Sequence, residues 1–253
     1  MGKIIIVANQ KGGVGKTTTV VNVSAYIASE GYQTLVIDLD SQGNSCSGLG
    51  INKEENKEGL YEALLGFKDV KDLIKSTEIR NLYIIPSNIH LSGAQVELVE
   101  MEKREYKLKE IIEKIKGNFK YIFIDSPPSL GLLTVNGLVA ADSVIIPIQC
   151  EYYALEGLSQ LLKTINIVKQ RLNPKLKLEG VLLTMYDTRT NLSKQVVEEV
   201  IAYFKQKVYK TIIPRNVKLA EAPSYGKPIK LYDPNSVGAL SYYKLSKEII
   251  ENG

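Results

Sequence analysis

Seven short apolar runs constrain what this chain can fold into: 3–8, 33–38 (QTLVID), 81–85 (NLYII), 119–125 (FKYIFID), 142–148 (DSVIIPI), 178–184 (LEGVLLT) and 208–213 (VYKTII). Most are rich in Ile and Val without polar alternation, as expected of parallel strands covered on both faces. Between them the spacing predicts helices over 16–29, 59–65, 91–116, 152–172, 191–206 and 236–251. In the fifth of these, Val196, Val197, Val200, Ile201 and Phe204 recur at close to three- and four-residue intervals. Strands alternating with helices predict an α/β fold, a doubly wound and mainly parallel sheet flanked by helices. In such folds ligands lie outside the carboxyl ends of the strands. There is no internal repeat, no low-complexity stretch and no linker rich in Pro, Gly or Ser, so residues 1–253 read as one domain. The charge run Lys53–Glu58 reads as a solvated loop.

Composition removes several classes. Two cysteines, Cys46 and Cys150, are too few for a disulfide framework, which points to a reduced, cytoplasmic setting. No stretch approaches the roughly 18 apolar residues of a membrane span. The run after Lys3 is too short for a signal-peptide core. A net charge of +4 is mildly basic and says little about partners until the charges are located.

The first run leads into NQKGGVGKTTT, residues 9–19. Gly12, Gly13, Val14 and Gly15 let the backbone turn tightly, so that consecutive N–H groups face phosphate oxygens. A helix then starts near Lys16, and its positive end adds to the anion site. Lys16 would reach the β- and γ-phosphates, the Thr17 hydroxyl would ligate Mg²⁺, and Thr18 continues the cradle. The usual G-x-x-x-x-G-K-S/T pattern fails, because Gln10 stands where its first glycine belongs. What is present instead is a second lysine, Lys11, at the loop's entrance. It is either a solvent residue or a cation offered to a facing subunit, as trans-acting arginines are in GTPases.

Two of the predicted strands end in aspartate, giving Asp38 and Asp40 from TLVIDLD and Asp125 from YIFID. In-line attack on a γ-phosphate needs a carboxylate near the metal's water shell and a group that positions the attacking water. Either strand could flank the loop strand, so the residues alone leave these roles open. Further on, seven basic residues (Lys205, Lys207, Lys210, Arg215, Lys218, Lys227 and Lys230) face only Glu221 and Asp233 between Tyr203 and Asp233. A phosphate backbone would feel that local excess. Nothing resembles a recognition helix or zinc finger, so backbone contacts without base readout are expected.

The chain resembles the ParA/Soj partitioning ATPases, within the ParA/MinD class of deviant-Walker P-loop proteins. The likeness is carried by the loop and by DLDSQGNSCSGLG (38–50), IDSPPSLGLLT (124–134), IPIQCEYYALEGLSQL (146–161), GVLLTMYDTRTNL (180–192) and IPRNVKLAEAPSYGKPI (213–229). It implies a P-loop NTPase that uses ATP and Mg²⁺ and forms an ATP-dependent homodimer in which Lys11 reaches the other subunit's nucleotide. By the same resemblance, Asp125 holds a magnesium-bound water, Asp40 orients the attacking water close to the metal shell, and Pro214 and Asn216 contact the adenine. Arg189 matches a DNA-contacting arginine, with Lys218, Lys230 and Lys247 as further candidates. The implied partners are non-specific double-stranded DNA and a ParB/Spo0J-type centromere-binding protein that stimulates hydrolysis, and the implied place is the nucleoid. One departure is Ser41, where family members generally carry proline; its absence should loosen the loop after Asp40.

Two relatives with a similar loop offer rival readings. A membrane-cycling, MinD-like division ATPase would need a C-terminal amphipathic helix with bulky apolar residues opposed by Lys or Arg. The segment VGALSYYKLSKEIIENG, with two lysines, two glutamates and no Phe or Trp, reads instead as a helix docked on the domain. An iron–sulfur reductase component would need its cysteines in cluster-ligand contexts, which Cys46 and Cys150 do not occupy. They read as buried fillers. His90 reads as a loop residue, and Tyr152-Tyr153 and Tyr242-Tyr243 as packing.

Overall fold

The computed structural model describes residues 2–52, 57–151 and 158–252. Seven strands form one sheet: β1 (Lys3–Val7), β2 (Thr34–Asp38), β3 (Lys75–Ser76), β4 (Leu82–Ile85), β5 (Tyr121–Asp125), β6 (Ser143–Gln149) and β7 (Lys177–Thr184). Their order is β3-β4-β2-β5-β1-β6-β7, and every pairing is parallel except the short β3 edge against β4. The loop strand β1 is thus central, flanked by β5 and β6. The register sets Val7 beside Asp125 and Asp38 beside Asp125, so both strand-terminal aspartates end at the carboxyl edge.

Alternation along the strands feeds two cores. Ile4 and Ile6 of β1, Leu35 and Ile37 of β2, and Ile122 and Ile124 of β5 face one way. They pack with α3 (Leu60–Leu64), α4 (Leu91–Val99), α5 (Lys107–Glu113), α6 (Leu132–Ala140), α7 (Leu158–Arg171) and α8 (Asn191–Phe204). Ile5, Val7, Val36 and Phe123 face the other way, onto α1 (Lys16–Ser29) and α11 (Val237–Glu251), joined by side chains of α9 (Val217–Glu221) and α10 (Ile229–Tyr232). Helices on both faces explain why these strands carry no polar alternation. Helix α11 buries Tyr242, Leu245 and Ile249, and the Tyr242 hydroxyl lies 3.3 Å from Thr19 Oγ1. Among the described residues no helix is long and apolar enough to cross a membrane.

Three sequence expectations are corrected. Residues 208–213 do not form a strand. They meet β7 at their two ends, where the Tyr209 and Ile213 amides donate to the Val181 (3.0 Å) and Leu183 (2.9 Å) carbonyls, while between them Glu248 takes the amides of Lys210 (3.0 Å) and Thr211 (2.8 Å). The predicted helix 91–116 breaks after Val99, where Lys103 adopts a left-handed φ of 53°. Buried Asn136 fixes the restart, accepting from the Leu108 amide (3.1 Å) and donating to the Arg104 carbonyl (2.8 Å). Helix α6, over LLTVNGLVA, and the short α2 (Asn44–Gly48) were not foreseen. Residues 53–56 of the charge run, the start of the predicted helix 152–172 and Tyr152-Tyr153 lie outside the described residues.

Candidate phosphate-binding site

From the end of β1 the chain turns at Gly13 (φ 75°) and Gly15 (φ 90°), both in the left-handed region that glycine alone adopts freely. Helix α1 begins at Lys16 with Gly15 as its N-cap and no capping side chain, which leaves its first N–H groups to an external acceptor. The loop is braced from both sides. Asn9 Nδ2 donates to the Pro147 carbonyl (2.7 Å), its Oδ1 accepts from the Lys11 amide (3.0 Å), and Thr184 Oγ1 donates to the Val14 carbonyl (2.9 Å).

The loop opens on a cavity of about 390 Å³. Gly12, Gly13, Gly15, Lys16, Thr17, Thr18 and Asp40 line it together. Val14 is buried beneath, and Lys16 is buried with its ammonium 3.2 Å from the Lys11 carbonyl oxygen. Burial lowers the Lys16 pKa, opposed in part by the charges of Asp125 and Asp40. The Lys11 side chain is half-buried, and its ammonium has no hydrogen-bond or ion-pair partner among the described residues.

Beneath the cavity Asp125 Oδ2 accepts from Thr17 Oγ1 (2.7 Å) and from Ser45 Oγ (2.8 Å). Its Oδ1 is buried with no hydrogen-bond partner. Desolvation pushes the Asp125 carboxyl up to about 6, against those two hydrogen bonds and the Lys16 charge. An orphaned carboxylate oxygen beside a threonine hydroxyl suits the oxygen shell of a hard divalent cation, while the N–H groups of the loop above suit an anion. Asp38 is fully buried and pushed up to about 7 by desolvation and then by the Asp125 charge. It accepts from the Asp40 amide (3.2 Å) and from the Cys46 amide (3.2 Å) and thiol (3.3 Å), so it organises the loop between β2 and α2. Asp40 reaches the cavity and also accepts from the Gln42 amide (3.0 Å).

Pro214 and Asn216 do not line the cavity; Asn216 Oδ1 accepts from the Leu219 amide (3.3 Å) and caps α9. The apolar wall consists of Met185, Leu219, Ala222 and Pro223, with Lys227 at its rim. Sequence reasoning missed this wall, as it missed Ser45, Thr184 and Asn9. Asn22 ties the wall to α1, accepting from the Ile229 amide (2.7 Å) and donating to the Thr18 carbonyl (2.8 Å). The basic candidates lie in three places. Lys230 lies 5.3 Å over the Tyr26 ring, Tyr26 packs edge-on against Tyr243 at 5.6 Å, and Lys247 lies 5.3 Å over Tyr243. Lys218 sits 5.7 Å over Tyr232 and pairs with Glu221 (2.9 Å). Arg189 stands separately ahead of α8, its guanidinium forked onto Asp187 at 2.9 and 2.7 Å.

A central strand, a glycine turn, an uncapped helix and carboxylates on the adjoining strand ends define a P-loop α/β protein. The AAA domain family matches residues 2–178. The chain is 59% identical to the sporulation initiation inhibitor protein Soj of Bacillus subtilis over 253 residues, the full length of both. It is 54% identical over 251 residues to the chromosome partitioning protein ParA of Myxococcus xanthus, covering 99% of this chain and 89% of that one. Among solved structures, cobyrinic acid a,c-diamide synthase from Mycobacterium smegmatis with bound ADP and magnesium superposes with a TM-score of 0.88 at 38% identity, covering 99% of this chain and 95% of the other. The chain belongs to the Soj/ParA family of chromosome-partitioning proteins.

Proposed function

We propose that this chain is a DNA-segregation ATPase that hydrolyses ATP to ADP and phosphate with Mg²⁺. The observation that carries the reading is the buried Thr17–Asp125–Ser45 cluster, with one Asp125 oxygen left over directly beneath the glycine loop. Thr17 and Asp125 would hold the cation, which when bound offsets charge on the phosphates. The loop amides and Lys16 hold the triphosphate, and Asp40, exposed to the same cavity, orients the attacking water. Met185, Leu219, Ala222 and Pro223 offer an apolar wall near the base, and by family resemblance Pro214 and Asn216 contact the adenine, Asn216 also capping the helix that carries Leu219. The magnesium-nucleotide complex in the M. smegmatis structure supports the cofactor assignment.

The free ammonium of Lys11 supports a sandwich of two copies, each lysine donated to the other's nucleotide. Joining two weak basic patches on one body raises DNA affinity through effective concentration. ATP then switches non-specific DNA binding on, hydrolysis switches it off, and a ParB/Spo0J-type partner accelerates the second step. The chain would work on the nucleoid in chromosome partition, as the names of its relatives suggest.

Size-exclusion chromatography with ADP, ATP and a non-hydrolysable analogue, repeated with Asp40→Ala, tests the scheme. The Asp40→Ala protein should remain a DNA-binding dimer in ATP; a monomer there counts against it.

A further inference from the structure

Leu91, Ala94 and Leu98 of α4 are buried in the core at three- and four-residue spacing. Gln95 stands on the same side, four positions after Leu91 and three before Leu98, where that spacing calls for an apolar side chain. It is half-buried, and its carboxamide has no hydrogen-bond partner among the described residues. A residue that breaks the local pattern in this way points to a functional demand from its surroundings.

Those surroundings are the loop between β5 and α6. Gly131 ends the loop as the N-cap of α6, with φ −78° and ψ −172°, a conformation open to any residue. Backbone geometry therefore does not call for glycine. Space does: a Cβ there would come within 2.3 Å of Gln95 Oε1 and 3.4 Å of Gln95 Cδ, and the next atom, Ser129 Oγ, is 3.8 Å away. The tip of Gln95 occupies the room that the missing side chain leaves.

The other end of this loop is the candidate cation ligand. Asp125 closes β5, and the next residue, Ser126, is buried and donates from Oγ to the Val7 carbonyl (2.9 Å). Pro127 and Pro128 follow, each with φ fixed near −65° by its ring. Pro128 lines the nucleotide cavity. Thr134 Oγ1 donates to the Ser129 carbonyl (2.5 Å), whereas the amides of Ser129, Leu130 and Gly131 donate to no group among the described residues. Thr134 and Gln95 are thus what steady the far end. With two prolines in between, a displacement at Gly131 is carried back to Pro128.

We propose that Gln95 is a positioning residue for ATP hydrolysis: its carboxamide clasps the loop at Gly131 and so holds Pro128 and the Asp125 end in place against bound nucleotide. Gln95 does not touch the substrate, and its effect passes through the loop. That effect on turnover rests on the ATPase reading; the clasp itself does not.

Two substitutions break the contact from opposite sides. Gln95→Ala empties the space, and Gly131→Ala fills it and displaces the flexible carboxamide; circular dichroism checks both folds. In nucleotide-free protein, the NMR order parameters of the Ser129, Leu130 and Gly131 amides should fall from about 0.85 to below about 0.6 in either variant. The kcat should drop about 3- to 10-fold in both, with ATP affinity by calorimetry held within about twofold, because the phosphate loop is untouched. The double variant should lose no more than either single one, since both remove one contact. Gln95→Glu keeps the length and shape of the side chain and should retain kcat within about twofold. Unchanged order parameters, losses that multiply in the double variant, or a parallel fall in ATP affinity would overturn the proposal. A wild-type protein that does not hydrolyse ATP would remove the functional reading instead, and the order parameters would still decide the clasp.

Discussion

Asp38 and Asp125 end adjacent parallel strands as register partners, and both carboxyls are fully buried. Desolvation raises both above the ordinary carboxylate value near 4, Asp38 to about 7 with the Asp125 charge adding to it and Asp125 to about 6 with a smaller push from Asp40. Between about pH 4 and pH 7 the folded, nucleotide-free protein therefore binds more protons than the unfolded chain. Its stability falls as pH rises through that window and levels off above it. Asp38→Asn keeps the shape and removes the group with the larger shift. Thermal unfolding from about pH 5 to pH 8 should show the wild-type midpoint falling more steeply than that of the variant, by about 2–4 °C for each kcal/mol. Parallel curves would mean that Asp38 is ionised throughout.

The two loop lysines separate nucleotide binding from assembly. Lys16 is buried at the cavity with its ammonium on the Lys11 carbonyl, so Lys16→Ala removes a cation the phosphates need. ATP affinity measured by calorimetry should drop about 10- to 100-fold, the equivalent of one charge-assisted hydrogen bond. Among the described residues Lys11 leaves its ammonium free and uses only main-chain groups within the loop. Lys11→Ala should bind ATP within about threefold of wild type yet elute as a monomer with the non-hydrolysable analogue. Normal dimerisation of that variant would remove the trans role.

Sequence made the sheet legible because both faces of each strand are covered, and β1, β2 and β5 read as unbroken apolar runs. It also located the glycine turn, since Gly13 and Gly15 are required by their positive φ. What it could not show depends on residues distant along the chain. The Ser45 hydroxyl reaches Asp125 across 80 positions, Thr184 reaches Val14 across 170, and Glu248 withdraws residues 210–211 from the sheet. The break between α4 and α5 is set by Asn136, a buried polar side chain whose spacing carries no local signal. The apolar cavity wall is formed by residues such as Ala222 and Leu219, whose chemistry and spacing carry no local signal.

Ser45 should tune the metal site without touching substrate. Its hydroxyl is one of two donors to Asp125 Oδ2, both favouring the ionised carboxylate. Ser45→Ala leaves that oxygen with Thr17 alone and moves the Asp125 pKa further up. Magnesium must then compete with a proton, so the Mg²⁺ concentration for half-maximal ATPase should rise about 5- to 30-fold, from a hydrogen bond worth about 1–2 kcal/mol. The shift should shrink towards pH 8, where Asp125 is ionised in either protein. A loss of activity that is independent of both Mg²⁺ and pH would indicate general disruption instead.

The four DNA candidates are not electrostatically equivalent, and their pairing ranks them. Arg189 is forked onto Asp187, Lys218 pairs with Glu221 at 2.9 Å, and Lys247 pairs with Glu30 at 2.7 Å. Lys230 has no carboxylate partner among the described residues and lies only over the Tyr26 ring. A phosphate approaching a paired cation must share it with a carboxylate, whereas one approaching Lys230 meets a full charge. Exposed pairs are worth only about 0–1 kcal/mol, so they weaken the other three contacts without abolishing them. With the ATP-locked Asp40→Ala protein as background, Lys230→Ala should lower the slope of log affinity against log salt by about one unit per contact and cost more affinity than Lys218→Ala or Lys247→Ala. Binding should fall equally on unrelated duplexes, since contacts to phosphates carry no sequence information. Anisotropy titrations across a salt series on two duplexes measure both quantities. If Arg189→Ala costs the most and Lys230→Ala nothing, the DNA face lies at α8 and not along α10 and α11.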